Sequence, residues 1–147
     1  MGESESLRAR ALQLLARREH SRLELHNKLL SRGADEGDVQ VLLDEFEEKG
    51  WLSERRFVDA VVQTRKRRFG TAKVLRELKD KGVSEQGLAE ARDTLRENEL
   101  ETARSVWNKK FGNQPTTLAE RAKQSRFLAG RGFSQEVIRK VLDLRDE

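Results

Sequence analysis

Basic side chains are concentrated in two segments of this 147-residue chain, and clustered bases are the residues that bind the phosphates of a polyanion. Positions 65–81 hold eight bases and two acids, a local net charge of +6. Positions 121–140 hold six bases and one acid, a net charge of +5. The candidate contact residues are Arg65, Lys66, Arg67, Arg68, Lys73, Arg76, Lys79, Lys81, Arg121, Lys123, Arg126 and Arg131. We expect two basic surfaces that together follow a polyanion.

A helix is the element that must position the first basic segment. On a helical wheel of about 100° per residue, Val74, Leu75 and Leu78 fall in one sector. The bases Lys73, Arg76 and Lys79 fall outside that sector. The pattern therefore predicts bases that project away from an apolar core. The nearby Phe69 is expected to pack in the core, with stacking on a nucleobase as an alternative.

Acidic side chains are segregated as well. Positions 34–48 hold seven acids and no base, and positions 85–101 hold six acids with only Arg92 and Arg96. These acids can pair with basic helices of the same chain, or they can meet a basic groove on a protein partner. Internal pairing is the favoured interpretation for the acids. Ligand contact is favoured for positions 65–81, because a net charge of +6 exceeds what surface balancing needs.

Residues suited to catalysis are scarce in this sequence. The chain has no Cys, which excludes thiol nucleophiles, disulfides and cysteine-based zinc sites. His20 and His26 lie six positions apart, unlike the i, i+4 pair that binds a metal on one helix face. We predict a protein that is not an enzyme and uses no cofactor or metal. A metal-dependent nuclease built on the acids at positions 44–48 is the weakest alternative.

Composition favours helices. Charged residues make up 38% of the chain, against roughly 25% in an average globular protein, and there is one Pro. No apolar stretch approaches the roughly 18 residues that a membrane span needs. The sequence therefore predicts an all-α, soluble protein. The absence of Cys suits a reducing compartment, so we expect a cytoplasmic location without membrane attachment.

One short pattern, Leu-x-x-basic-Gly-apolar-Asp/Ser, occurs three times. Its glycines, Gly33, Gly82 and Gly132, lie 49 and 50 residues apart. A glycine in the left-handed conformation ends one helix, and the Asp or Ser two residues later caps the next. Each copy therefore predicts two helices joined by a tight turn.

Apolar residues at helical spacing predict a further helix before each pair, at positions 7–18, 54–67 and about 100–110. The chain then consists of three tandem three-helix repeats: residues 1–50 (repeat 1), 51–97 (repeat 2) and 98–147 (repeat 3). Ser21 with Glu24 and Thr117 with Glu120 predict capping boxes at two helix starts. Because so small a unit buries little apolar surface alone, we expect the repeats to pack into an elongated, curved array.

The turn at Gly82 also resembles that of a helix-turn-helix DNA reader. Such a reader needs a polar or basic helix after the turn, but the helices that follow Asp35 and Ser84 are acidic. Base reading is therefore disfavoured in repeats 1 and 2. It stays open in repeat 3, where Arg139 and Lys140 follow the turn.

Five segments carry a family resemblance in chain order: RREHSRLEL at 17–25, GWLSERRF at 50–57, RFG at 68–70, LRELKDKG at 75–82 and RFLAGRGF at 126–133. Together with positions 138–142 they resemble the RecX family of bacterial recombination regulators. The resemblance covers nearly the whole chain, and it implies an all-helical protein of three tandem three-helix repeats.

The resemblance further implies a regulator, mainly an inhibitor, of the RecA recombinase in DNA recombination, DNA repair and the SOS response. Its partners would be the RecA filament and the single-stranded DNA inside it. The protein would bind in the helical groove of the filament as a monomer and limit ATP hydrolysis, filament extension and strand exchange. Capping of filament ends and coating of the groove both stay open. The alternative is a general nucleic-acid-binding helical module that binds bare DNA without a recombinase partner.

Overall fold

The computed structural model describes residues 3–143, with side chains from Ser6 onward, and this part of the chain is α-helical without strands. Its nine helices are α1 (Glu3–Arg17), α2 (Arg22–Leu30), α3 (Glu36–Glu48), α4 (Glu54–Arg65), α5 (Thr71–Asp80), α6 (Glu85–Glu97), α7 (Glu99–Lys110), α8 (Leu118–Gly130) and α9 (Gln135–Leu142). The predicted all-α class is confirmed.

Each group of three helices has its own apolar core. Leu25, Leu43 and Phe46 are fully buried between α1, α2 and α3. A second core surrounds Leu78 in α4–α6, and a third surrounds Leu128 in α7–α9. The three-helix repeat arrangement is therefore present, while the repeat boundaries at 50/51 and 97/98 stay a prediction.

The turn between the second and third helix is the same in every repeat. Gly33, Gly82 and Gly132 have φ angles of +89°, +82° and +96°, which only glycine adopts without strain. In each repeat the Asp or Ser that follows accepts a hydrogen bond from a backbone N–H in the first turn of the next helix. The predicted helix ends and caps are confirmed at all three turns.

Three local details differ from the sequence predictions, one being that α4 ends at Arg65 rather than at position 67. The box of Ser21 and Glu24 closes as expected, but Glu120 accepts from the N–H and hydroxyl of Thr116 rather than closing a box with Thr117. The Glu120 carboxylate accepts from Thr116, the residue before the cap Thr117, so the box does not close at Thr117. Helix α1 begins at Glu3 rather than at position 7, since the polar residues there continue the helix without an apolar period.

Repeats 1 and 2 meet where the Gly82 turn lies against the start of α2. A Cβ atom on Gly82 would lie 2.9 Å from the Leu23 Cβ. Beside this contact, Lys81 Nζ lies 3.4 Å from Glu24 Oε2, and Arg56 Nε donates to Glu19 Oε1 at 2.9 Å. Close backbone packing and ion pairs therefore join the first two repeats.

Repeats 2 and 3 meet through the corresponding elements. The N–H of Gly70 donates to the carbonyl of Arg131 at 2.8 Å, and the N–H of Ala72 donates to the carbonyl of Gly132 at 3.2 Å. The buried carboxylate of Glu99 accepts from the N–H of Thr71 at 3.0 Å. The Gly132 turn is thereby fixed to the start of α5 by backbone hydrogen bonds.

The surface area fits an open array. The chain exposes 9730 Å², whereas a compact monomer of 17.0 kDa exposes about 7,700 Å². This excess supports the elongated shape that the sequence predicts. Within residues 3–143, none of the helices is both long enough and apolar enough to cross a membrane.

Candidate nucleic-acid interface

Helix α5 presents its bases on one exposed face. Val74 and Leu78 are buried in the second core, whereas Lys73, Arg76 and Lys79 are exposed. Because residues three apart share a helix face, these three bases lie on the same side of α5. The outward orientation that the helical wheel predicts is confirmed.

The loop between α4 and α5 extends this basic face. Arg67 and Arg68 are exposed, and Lys66 is half-buried at the end of α4. Among residues 3–143 none of these three bases forms an ion pair. Their charges are therefore available for an anionic ligand.

Two of the predicted contact residues at positions 65–81 are instead paired with acids. Arg65 donates from Nε and Nη2 to the carboxylate of Glu77, at 3.0 and 3.4 Å. Lys81 lies against Glu24 of repeat 1. These pairs hold α4 against α5 and repeat 2 against repeat 1, so the two bases have structural contacts that the sequence pattern did not reveal.

Phe69 connects the two basic segments. Its ring lies 4.7 Å from Lys73 Nζ and 5.3 Å from the Arg131 guanidinium, both within cation–π range. Arg131 also donates to the carbonyl of Arg68 at 3.1 Å and lies 5.1 Å from the ring of Phe127. The structure therefore brings Arg68, Lys73 and Arg131 together, although Arg131 is more than 50 positions away along the chain. Phe69 packs partly in the second core, as expected.

The rest of the second basic segment is more dispersed. Arg121 donates from both terminal nitrogens to Asp143, at 2.8 and 3.4 Å. It lies ten residues before Arg131, or about 15 Å along α8. Lys123 and Arg126 are exposed on the same helix, and neither pairs with an acid in the described part of the chain.

Two further bases belong to this surface and were missed by the sequence analysis. Lys109 lines a cleft of about 430 Å³ together with Lys66 and Arg67, and the acids Glu99 and Glu101 lie in the same cleft. Lys110 Nζ lies 5.5 Å from the ring of Phe127, on which Arg131 also rests. Both lysines are in the last turn of α7, where bases ordinarily complement the helix dipole, so the sequence offered no sign of a ligand contact.

Repeat 1 has the opposite arrangement of charge. Arg22 pairs with Asp44 and Glu47, Arg8 pairs with Glu45, and His26 pairs with Glu36. Four of the seven acids at positions 34–48 thus have basic partners within the repeat. The internal pairing favoured from the sequence is confirmed for these four.

A buried acid, Glu24, joins repeats 1 and 2. Burial raises the pKa of Glu24, but hydrogen bonds from Arg18 and Ser21 and the charge of Lys81 outweigh it and lower the pKa to about 2. His20 is buried beside it, with Nδ1 3.1 Å from the Arg18 carbonyl and Nε2 2.9 Å from Lys28 Nζ. Burial and the two neighbouring cations lower the pKa of His20.

The described residues contain no group of three or more His, Asp or Glu side chains that could hold a metal ion. What the arrangement offers is electrostatic: exposed bases on α5 and the loop before it, continued across Phe69 onto repeat 3. Exposed basic side chains of this kind are suited to the phosphates of a nucleic acid.

Comparison with known proteins identifies the chain. Residues 8–46 match the first three-helix domain of RecX, and residues 97–142 match the third three-helix domain of RecX. The regulatory protein RecX of Leptothrix cholodnii is 46% identical over 141 residues, which cover 96% of this chain and 90% of that protein. The regulatory protein RecX of Pseudomonas entomophila is 40% identical over 146 residues, covering 96% and 92%.

Solved structures agree on the fold. The crystal structure of RecX from Lactobacillus salivarius superimposes with a TM-score of 0.81 at 17% identity, covering 96% of this chain and 97% of the other. A second crystal structure of regulatory protein RecX gives a TM-score of 0.83 at 21% identity, covering 98% and 73%. The sequence identities, the domain matches and the shared fold show that the chain belongs to the RecX family.

Proposed function

We propose that this protein modulates the RecA recombinase in the cytoplasm, mainly as an inhibitor, by binding along the RecA filament on single-stranded DNA. It acts by reversible binding and not by covalent chemistry. Seated in the helical groove of the filament, it limits ATP hydrolysis, filament extension and strand exchange during recombination and DNA repair.

One observation carries this proposal: the exposed bases of α5 and its preceding loop continue across Phe69 to Arg131 of the next repeat. A surface that spans two repeats of an elongated chain contacts several phosphates of one strand. Each phosphate neutralised on a single strand contributes about 0.7 to the slope of log affinity against log salt.

Repeat 1 then has a different role from repeats 2 and 3. Repeats 2 and 3 supply the DNA-facing bases, with Arg67, Arg68, Lys73, Arg76 and Lys79 as the principal contacts. Helix α3 leaves Asp38 and Glu48 without an ion pair among the described residues, and this acidic edge faces the recombinase. Charge complementarity of this kind sets the orientation of a bound protein.

The test is the single-stranded-DNA-dependent ATPase of RecA with this protein titrated in, beside a binding assay on bare DNA. Inhibition at concentrations well below those that bind bare DNA supports a regulator directed at the filament. No effect on the ATPase, with salt-sensitive binding to bare DNA, supports the alternative of a general nucleic-acid-binding module.

The site is tested by reversing Arg67, Arg68 and Arg76 together to Glu. Since all three are exposed and none is in an ion pair within residues 3–143, the fold is expected to survive, while half-maximal inhibition moves to at least about tenfold higher concentration. The matched control reverses Arg17, Arg55 and Arg96, which are exposed and lie outside both basic segments. Equal inhibition by both triple variants would reject the site.

A further inference from the structure

The contact between neighbouring repeats is made twice in this chain by the same parts. In each case the glycine turn of one repeat lies on the first turn of the second helix of the repeat before it. The Gly82 turn lies on α2 beside Leu23, and the Gly132 turn lies on α5 beside Lys73. At Gly132 an added Cβ would come within 2.5 Å of the Lys73 Cβ and 2.7 Å of its backbone nitrogen.

At each end of the array, one of the two surfaces that form this contact has no neighbouring repeat on it. These surfaces are the Gly33 turn at one end and the start of α8 at the other. The turn at Gly33 has the same backbone conformation as the other two, yet a Cβ there would meet nothing within 4 Å. At the other end, the start of α8 has no following repeat on it. Leu118, its first residue, is 87% exposed, more than any other large apolar side chain in the described part of the chain.

The charges at the two free ends are complementary. In the contact between repeats 1 and 2, Lys81 precedes the glycine of the turn, and Glu24 occupies the third position of the helix that receives it. Arg32 and Glu120 hold these same positions at the free ends. Both are exposed, and neither has an ion-pair partner within residues 3–143.

The contact between repeats 2 and 3 shows that this charge pair is an addition to the backbone packing. Its corresponding residues, Arg131 and Lys73, are both basic, and they rest on the ring of Phe69 while backbone hydrogen bonds join the repeats. The free ends therefore have the glycine turn that both internal contacts use. They also have the opposite charges that are found only in the contact between repeats 1 and 2.

We propose that the Gly33 turn of one copy of this protein docks on the start of α8 in a second copy, continuing the repeat array from chain to chain. Arg32 of one copy then pairs with Glu120 of the next, and Leu118 is covered. Because the two surfaces differ, the contact is head-to-tail and adds copies in one direction.

The contact is weak in dilute solution. Inside one chain the linking helices supply an effective concentration on the order of mM, whereas separate copies must reach such a concentration themselves or lie side by side on one template. The chain is thus a monomer at low concentration and associates as its concentration rises.

Sedimentation velocity between about 10 μM and about 1 mM at low salt tests this, with neither DNA nor recombinase present. The outcome is therefore independent of the proposed function.

The wild-type sedimentation coefficient is expected to rise with concentration. Arg32→Glu and Glu120→Arg alone should each associate only at clearly higher concentration than wild type, since like charges then oppose the packing of the glycine turn. An equimolar mixture of the two should associate again, because every contact in an alternating array pairs opposite charges. Arg17→Glu and Glu97→Arg are the matched controls and should behave as wild type.

A second variant tests the packing. Gly33→Asn adds a side chain where the monomer has open space, and Asn tolerates a positive φ angle better than most residues. It should fold but stay monomeric at every concentration. Gly50→Asn, also at an open site with a positive φ of +76°, should associate like wild type. A wild-type chain that remains monomeric at about 1 mM, or a mixture that fails to restore association, would overturn the proposal.

Discussion

Repeat 1 and the junction of repeats 2 and 3 use charged side chains in opposite ways. In repeat 1, Arg8 and Arg22 form ion pairs with the acids of α3. At the junction, Lys73 and Arg131 lie against the ring of Phe69, and Arg131 donates to the carbonyl of Arg68. None of these three bases pairs with an acid in the part of the chain that is described. Charge content alone therefore does not show which bases are free to bind a ligand, because that depends on whether each base has an acid within reach.

The largest expected effect comes from separating the two basic segments at their junction. In Gly70→Ala the new Cβ would lie 2.4 Å from the carbonyl of Gly132, and backbone at that position cannot move aside as a side chain can. We expect the free energy of unfolding to fall by about 2–3 kcal/mol, measured by urea denaturation, with a parallel loss of DNA binding.

The matched control is Gly130→Ala, near the same junction but with open space around the added Cβ. Because this glycine lies in the last turn of α8, alanine should be neutral or stabilise by up to about 1 kcal/mol. Equal stability of both variants would show that the close contact at Gly70 does not hold the repeats together.

The next effect concerns the ion pairs that join repeats 1 and 2. Glu24→Gln leaves Arg18 and Lys81 without their carboxylate, and we expect the free energy of unfolding to fall by about 2 kcal/mol at pH 7. The folded-state pKa of Glu24, about 2, is below its ordinary value of 4.5, so its contribution is present above pH 4.5 and is lost as the pH falls toward 2.

Urea denaturation at several pH values between about 7 and about 2.5 checks this. Below pH 4.5 the free energy of unfolding of wild type should fall more steeply than that of Glu24→Gln, because only wild type loses the contribution of the Glu24 carboxylate. Glu90→Gln serves as control, since its side chain is exposed and forms no ion pair among the described residues. A variant whose pH profile parallels that of wild type would contradict the assigned role of Glu24.

The smallest effect separates free from paired bases within one segment. Arg76→Ala removes an exposed base without an ion pair among the described residues, so binding to a single-stranded oligonucleotide should weaken and its salt slope should decrease by about 0.7. Arg65→Ala instead breaks the pair with Glu77 and should lower stability by up to about 1 kcal/mol, with little effect on the slope. Equal slopes for the two variants would remove the distinction.

Much of the fold was predictable because its signals are local. Asp35, Ser84 and Ser134 each cap the helix that the sequence assigned to them, since a side-chain oxygen accepts from a backbone N–H only three positions away. The start of α1 was missed because its first residues carry no apolar period. Lys109 and Lys110 were missed because bases at a helix end are ordinary, and only the tertiary structure places Lys109 beside Lys66 and Arg67 and Lys110 against the ring of Phe127.

The sequence by itself determined the helices, the glycine turns, the threefold repetition and the outward face of α5, because caps, turns and helical periodicity depend on residues a few positions apart. Tertiary structure alone decided which bases remain free. Lys81 meets Glu24 across 57 positions, and Arg131 meets Arg68 across 63. A helical wheel states which way a side chain points from its own helix; packing between helices and repeats decides what lies there to meet it.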